Sequence, residues 1–181
     1  NWIMPDRRRI RAEWHDYNDG VYFVTVCCFR KKFYFGNIQD NAMKYSLVGQ
    51  IARQCISEIP KHFNYVELWN YVVMPNHIHL VLAIGGVPQK QPHDNIGFLK
   101  PKRHEAPEKQ DFHHNSALAV VVGQLKSSIT RLAGLKGKEM KWQSKYYDNI
   151  ISNKDAYDYI MNYIDNNVEN WSQDKLYTDM D

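Results

Sequence analysis

Apolar and polar residues follow two different periods in the first half of this chain. Residues 20–36 are rich in Val, Tyr, Phe and Thr, which is typical of a strand with an extended tail. Between residues 41 and 59 apolar side chains recur every four positions, which predicts an amphipathic helix that Pro60 ends. Two further apolar runs, 64–74 and 77–84, predict an antiparallel strand pair because a tight Pro-Asn connection joins them.

The second half begins with a segment that has no period. Residues 85–115 are dense in Gly, Pro, Lys, Gln and His, which predicts a flexible loop inside one domain. Residues 116–135 predict a helix, and residues 141–152 hold one short strand. A last helix is predicted from about residue 153 to about residue 170, with Ser152 or Asn153 as its N-cap.

The predicted order of elements is therefore β, α, β, β, α, β, α, without an internal repeat. This order favours an α+β fold, a ferredoxin-like antiparallel sheet with helices packed on one face. The length of 181 residues fits one domain over residues 1–181, and 44% hydrophobic residues can supply a core.

Composition also bears on the compartment. No apolar run reaches the length of a membrane-spanning helix, so we expect no membrane partner. No apolar stretch follows the basic residues near the start, so we expect no secretory signal. The 3 cysteines include the adjacent pair Cys27 and Cys28, a poor disulfide framework. We therefore expect a cytoplasmic protein.

Positive charge is clustered although the net charge is only +3. Arg7, Arg8 and Arg9 crowd the first residues, and Lys126 and Arg131 belong to a basic region between residues 100 and 145. Such clusters are compatible with nucleic-acid binding, but a solvated surface explains them equally well.

Two histidines open the apolar run 77–84. On a strand, residues i and i+2 share a face, so His77 and His79 project to the same side of the sheet. Two imidazoles on one face can converge on a metal ion, but most metal sites need at least three protein ligands. Taken alone, the pair is more typical of ordinary half-exposed strand histidines.

The last predicted helix offers a further ligand and a nucleophile. Ile160 and Ile164 belong to an apolar stripe at helical spacing. Tyr159, Tyr163 and Asn167 form a second stripe beside it. A boundary tyrosine with its hydroxyl in water, followed by a capping asparagine, is the simpler explanation of this stripe.

Several motifs in this order resemble one family. The segments YFVTVCCFRKKFYFG, MPNHIHLVL, VVGQLKSSITR, WQSKYYDNII and YIDNNVENW are similar to those of the IS200-like single-tyrosine (Y1) transposases. The greater similarity is to the branch called REP-associated tyrosine transposases. The resemblance covers roughly residues 22–171 and omits the predicted loop.

The resemblance implies a role for the two histidines and for the polar stripe of the last helix. His77 and His79, with Ile78 between them, match the family's HUH metal site, and Asn167 matches its third metal ligand. Tyr163 takes the place of the nucleophile, although Tyr146, Tyr147, Tyr157 and Tyr159 lie nearby. Val168 replaces the family's usual proline, so we expect a longer last helical turn.

The implied chemistry is cleavage and rejoining of single-stranded or hairpin DNA through a 5′-phosphotyrosine, with Mg²⁺ or Mn²⁺ as cofactor. The phosphodiester energy is kept in the covalent link, so rejoining needs no ATP. Backbone phosphates would contact Arg7, Arg8, Arg9, Lys126 and Arg131. The sequence does not identify the base that ionises the tyrosine or fix the oligomeric state, for which a homodimer is one option.

Two other functions stay open at this point. A non-catalytic protein that binds nucleic-acid hairpins could use the same fold, and a small metal-dependent hydrolase could use water as its nucleophile. Both would leave DNA without covalently attached protein. A purely structural module would leave the histidines, the tyrosine and the asparagine unexplained.

Overall fold

A four-stranded antiparallel sheet lies at the centre of the protein. The computed structural model describes residues 19–85 and 116–178. In chain order the elements are β1 (Gly20–Cys27), β2 (Gly36–Gln39), β3 (Ala42–Tyr45), α1 (Leu47–Ser57), α2 (Ile59–His62), β4 (Val66–Met74), β5 (His77–Ile84), α3 (Ala117–Leu135), β6 (Tyr147–Ile150) and α4 (Lys154–Asp165).

The main sheet has the spatial order β4-β5-β1-β6, with all of its strand pairs antiparallel. Its strands are connected as β1-α1-β4-β5-α3-β6, the β-α-β-β-α-β arrangement of ferredoxin-like folds. The predicted fold class is confirmed. The pairing of β4 with β5 across Pro75 and Asn76 is confirmed as well.

Helices cover both faces of this sheet, which refines the expectation of one helical face. Tyr22, Val24 and Val26 of β1 belong to the core that α1 and α3 cover. Phe23 on the opposite face belongs to a second core together with residues of α4. The apolar side chains on this second face need a cover of their own, and α4 provides it.

The apolar stripe of α4 fastens this helix to the sheet. Ile160 and Ile164 are almost fully buried against Val81 and Ala83 of β5. Burying one such side chain stabilises a fold by roughly 1.5–3 kcal/mol. The position of Tyr163 therefore depends on the packing of its apolar neighbours.

The long helix predicted for residues 41–59 is wrong at its beginning. Asp40 and Asn41 have positive φ angles of 52° and 55°, the geometry of a tight hairpin turn between β2 and β3. The helix starts only at Leu47, because the Ser46 hydroxyl caps it by accepting a hydrogen bond from the Gly49 N–H at 3.0 Å.

The last helix starts where the sequence predicts and ends earlier than predicted. The side chain of Asn153 caps α4 by accepting from the Ala156 N–H at 2.8 Å. The helix ends at Asp165, and the Asn167 N–H donates to the Ile164 carbonyl at 3.2 Å in a tight turn. The expected longer last turn is therefore wrong. A short 3₁₀ turn follows at Trp171–Gln173.

Some predictions fall outside the described residues. Arg7, Arg8 and Arg9 lie there, and so does nearly all of the loop predicted for residues 85–115. The assignment of residues 1–181 to one domain stays a prediction. Within the ranges that the structure covers, no helix is both long and apolar enough to cross a bilayer.

Candidate catalytic and metal site

His77 and His79 converge on the sheet face that α4 covers. Alternation along β5 puts Ile78 and Leu80 into the core on the other face. Both histidines are buried, and their Nε2 atoms lie 3.0 Å apart. The expectation that the two imidazoles share a face is confirmed.

Polar neighbours hold the outer nitrogens of both rings. The Asn76 amide donates through Nδ2 to the Leu176 carbonyl at 2.9 Å, which leaves its Oδ1 to face His77 Nδ1 at 2.8 Å. His77 therefore donates through Nδ1, and its Nε2 carries the lone pair. Thr25 Oγ1 lies 2.9 Å from His79 Nδ1. Such contacts orient metal-binding imidazoles in proteins.

The Tyr163 hydroxyl lies at the edge of the histidine pair. It is 3.3 Å from His79 Nε2 and donates to Asp174 Oδ2 at 2.6 Å. Its ring packs edge-on against Phe23 and His79, with centroid distances of 6.1 and 5.3 Å. The structure thus brings the predicted nucleophile to the predicted metal ligands.

Asn167 and Asp174 complete the site. The Asn167 side chain is only 2% exposed, and its Nδ2 donates to Asp174 Oδ2 at 3.0 Å. Asp174 is fixed in turn by the Leu176 N–H, which donates to its Oδ1 at 2.6 Å. The amide oxygen of Asn167 is buried without a hydrogen-bond partner among the described residues.

These donors fit a small divalent cation. His77, His79 and Asp174 each offer a ligand atom, and these atoms lie within 4.8 Å of one another. An unsatisfied buried acceptor such as Asn167 Oδ1 costs about 1–3 kcal/mol, which a bound cation would offset. Two imidazole nitrogens with one or two oxygens suit Mn²⁺, and the oxygens suit Mg²⁺.

Sequence reasoning missed several of these residues. Asp174 lies beyond the end of α4, where helical spacing no longer applies, so no local pattern pointed towards it. Thr25 carried no signal, because its contact with His79 follows from strand register. Asn76 stood in the predicted turn, but its side chain had no predicted role.

The other tyrosines near the predicted nucleophile lie in different surroundings. Tyr147 is paired with Thr25, so it shares the sheet face of His79. Tyr146 packs against the core under α1 and α3, on the opposite face. Tyr157 packs edge-on against Trp69 at 5.8 Å, and Tyr159 is 39% exposed on α4.

The predicted phosphate-binding residues of α3 lie in the helical layer on the other face of the sheet from the histidines. Neighbouring side chains of α3, such as Leu125 and Ile129, belong to the core on that face. The Lys126 amine donates to the Gln143 carbonyl at 2.7 Å, and burial lowers its pKa. Arg131 is exposed. Their contact with DNA stays a prediction.

Replacing Asn76 with alanine is expected to weaken Mn²⁺ binding about 10- to 100-fold, because His77 loses the group that orients it. Asn76→Asp keeps the acceptor for His77 but loses the amide N–H that donates to the Leu176 carbonyl, so it should bind Mn²⁺ more tightly than Asn76→Ala. Titration calorimetry measures both affinities, with Asn37→Ala on β2 as a control outside the site. Equal affinity in Asn76→Ala and the parent would contradict this role for Asn76.

Comparisons with known proteins identify a relative of this chain and a solved structure with a similar fold. No protein-family model matches the chain. An uncharacterized protein of Haemophilus influenzae is 34% identical over 176 residues, which span 96% of this chain and 94% of the relative. A solved structure, the REP-associated tyrosine transposase bound to a REP hairpin, superposes with a TM-score of 0.54 at 19% identity, covering 95% of this chain and 77% of that one. This likeness confirms the fold implied by the resemblance.

Proposed function

We propose that this chain, which belongs to the same family as the Haemophilus influenzae relative, cleaves and rejoins single-stranded DNA as a transposase does. It shares the fold of a transposase whose structure contains a DNA hairpin. The observation that carries most weight is the position of Tyr163, with its hydroxyl 3.3 Å from His79 Nε2 beside the facing histidine pair.

The residues that would hold a divalent ion are His77, His79 and an oxygen of Asn167 or Asp174. When bound, Mg²⁺ or Mn²⁺ would polarise the scissile phosphate and keep it in line with the attacking oxygen. Burial of this site keeps bulk water away from the two imidazoles. Electrostatic interactions at the phosphate are stronger in such an environment than in water.

Tyr163 is the proposed nucleophile. Its oxygen forms a bond to the phosphorus, the bond from phosphorus to the 3′ oxygen breaks, and a 5′-phosphotyrosine and a 3′-hydroxyl result. A free tyrosine side chain has a pKa near 10, so attack by a phenol oxygen at neutral pH needs a proton acceptor. Asp174 Oδ2 already accepts this proton in a hydrogen bond of 2.6 Å, and the same proton can pass to the leaving 3′ oxygen. Rejoining is the reverse reaction.

The proposed substrate is single-stranded DNA next to a hairpin. A single tyrosine on a small domain has no means of opening a duplex. The solved transposase of the same fold is bound to a REP hairpin, which supports this substrate class. Arg7, Arg8, Arg9, Lys126 and Arg131 are proposed to contact its phosphates.

A denaturing gel tests the proposed function. Hairpin DNA with single-stranded flanks is labelled at its 3′ end, because the fragment with that end keeps the 5′-phosphotyrosine. It is incubated with the protein and Mn²⁺, and then boiled in detergent. A band that shifts with the protein and collapses after protease treatment is the expected phosphotyrosine adduct. Cleaved DNA without attached protein would favour a hydrolase. Bound but uncut DNA in a native gel would favour a non-catalytic hairpin-binding protein.

Changing Arg7, Arg8 and Arg9 to alanine should weaken binding to all DNA sequences alike, because phosphates carry no sequence information. The slope of log affinity against log salt should become shallower by roughly 0.7 for each lost contact on single strands. Fluorescence anisotropy over a salt series measures both quantities. An unchanged slope would show that the cluster does not contact DNA.

A further inference from the structure

A polar cleft runs along α4 and the turns that follow it, directly beside Tyr163. It has a volume of about 310 Å³. Besides Asn167 of the catalytic site, four amide side chains line it, and we call it the amide cleft: Asn162, Asn166, Asn170 and Gln173. Tyr159 lines one end, and Tyr163 and Asp174 line the part next to the histidines. The mechanism above uses only this last part.

Helical spacing explains why these amides share one surface. Asn162 on α4 and Asn166, which caps its end, are separated by four positions, and Tyr159 lies about one turn before Asn162. Ile160 and Ile164 fill the opposite side of the helix and pack on the sheet. The amides therefore do not serve the core, and α4 presents them to whatever occupies the cleft.

The side-chain amides of Asn162 and Asn166 together present one hydrogen-bond donor next to one acceptor. Asn166 donates through Nδ2 to the backbone carbonyl of Asn162 at 2.8 Å and to its Oδ1 at 2.9 Å. This arrangement leaves Asn162 Nδ2 as a donor and Asn166 Oδ1 as an acceptor. Every nucleobase carries donors and acceptors side by side on its edges, and asparagine and glutamine pair with such edges.

The charge of the cleft away from Tyr163 does not favour a phosphate as its occupant. Among the described residues that line the cleft there is no lysine or arginine, and the one charged side chain is the carboxylate of Asp174, next to Tyr163. An uncharged planar group with mixed donors and acceptors suits this lining better. Tyr159 is an exposed residue, and its aromatic ring can stack on a base.

Size and position restrict the occupant further. The volume is close to the lower end of small-ligand sites, about 300–1,000 Å³, so the cleft suits one base rather than several. Tyr163 belongs both to the cleft and to the catalytic site. A base in the cleft must therefore belong to a nucleotide near the phosphate that Tyr163 attacks.

We propose that the amide cleft binds one unpaired nucleobase of the DNA strand that flanks the cleaved bond, and that it reads this base through Asn162 and Asn166. This inference rests on the proposed function, because it takes DNA as the substrate. The cleft would give the enzyme a sequence preference at the cut itself, separate from recognition of the hairpin.

Abasic nucleotides test this inference. A labelled hairpin that the protein binds receives a single abasic nucleotide at each position of its single-stranded flank in turn. Affinities are measured with Tyr163→Phe, which cannot form an adduct. One abasic position should weaken binding about 5- to 100-fold, the range expected for loss of one stacked base. Where the parent cleaves the DNA, this position should border the cut.

A double-variant comparison assigns the effect to the cleft. In Asn162→Ala/Asn166→Ala, combined with Tyr163→Phe, the same abasic position should change affinity less than about twofold, since the contact is already lost. Gln124→Ala removes an exposed amide from α3 and should leave the full effect. Asn170→Ala serves as a second cleft variant if the double variant melts at a lower temperature than its parent.

The two proposals can fail separately. Equal abasic effects in the cleft variants and in the Gln124→Ala control would overturn the base-binding cleft, even if an adduct forms. So would an affinity that no abasic position changes. Abasic effects that depend on Asn162 and Asn166, without any adduct from the parent protein, would support base binding in the amide cleft and contradict the proposed DNA cleavage.

Discussion

Tyr163→Phe is expected to form no covalent DNA adduct and to lower the rate of cleavage by at least roughly 1,000-fold. Loss of a nucleophile removes the covalent route entirely, and comparable losses in other enzymes are larger still. Phenylalanine keeps the ring contacts with Phe23 and His79 and removes only the hydroxyl. Quantitative denaturing gels with the parent and the variant measure the effect.

Folding and DNA binding should survive this substitution. The variant loses the contact of the hydroxyl with His79 Nε2 and its hydrogen bond to Asp174, and the latter costs about 1.5–3 kcal/mol for a charged acceptor. Circular dichroism and thermal melting test the fold, and hairpin binding is measured separately. A variant that folds and binds but forms no adduct assigns the loss to chemistry.

Matched variants separate Tyr163 from its neighbours. Tyr159→Phe removes a hydroxyl one turn earlier on the same helix, and Tyr147→Phe removes one on the same sheet face as His79. Both should form the adduct, as should Tyr157→Phe. Mass spectrometry of the digested adduct locates the linked peptide independently. A DNA-linked peptide without Tyr163, or cleavage that persists in Tyr163→Phe, would mean that another residue is the nucleophile.

Local periodicity explains why part of this site was predictable from sequence. The alternation of a strand requires that His77 and His79 share a face, whatever the rest of the chain does. The apolar stripe through Ile160 and Ile164 likewise predicted the buried side of α4. The assignment of the nucleophile and ligand roles came from the family resemblance, because a boundary tyrosine was the simpler explanation of the spacing alone.

Other features depend on contacts that no local pattern encodes. The choice of sheet face for α4 depends on which apolar strand residues remain uncovered after α1 and α3 have packed. The approach of Asp174 to Tyr163 depends on a turn beyond the helix, eleven positions along the chain. The hairpin of β2 and β3 escaped prediction because residues 41–46 continue the apolar spacing of the helix that follows.

His77→Ala and His79→Ala are each expected to lower Mn²⁺ affinity by more than about 100-fold, because each removes a direct ligand. Replacing a residue that only orients a metal ligand lowers metal affinity about 10- to 100-fold, and loss of the ligand itself should lower it further. Asn167→Ala should match the histidine variants if its buried amide oxygen is the third ligand. Titration calorimetry and the electron paramagnetic resonance of bound Mn²⁺ measure these losses without any need for DNA.

Asp174 decides between two ligand sets. If Asn167 supplies the metal-binding oxygen, Asp174 only orients the Asn167 side chain by accepting a hydrogen bond from its Nδ2. Asp174→Asn should then lower Mn²⁺ affinity about 10- to 100-fold. If the Asp174 carboxylate itself is the third ligand beside His77 and His79, Asp174→Asn should lower Mn²⁺ affinity as much as the histidine variants do. Asn167→Ala should then lower it less. We expect the first result, because both oxygens of Asp174 already accept hydrogen bonds whereas Asn167 Oδ1 accepts none among the described residues. Mn²⁺ affinity that is equal in the parent and in all four variants would exclude a metal site here.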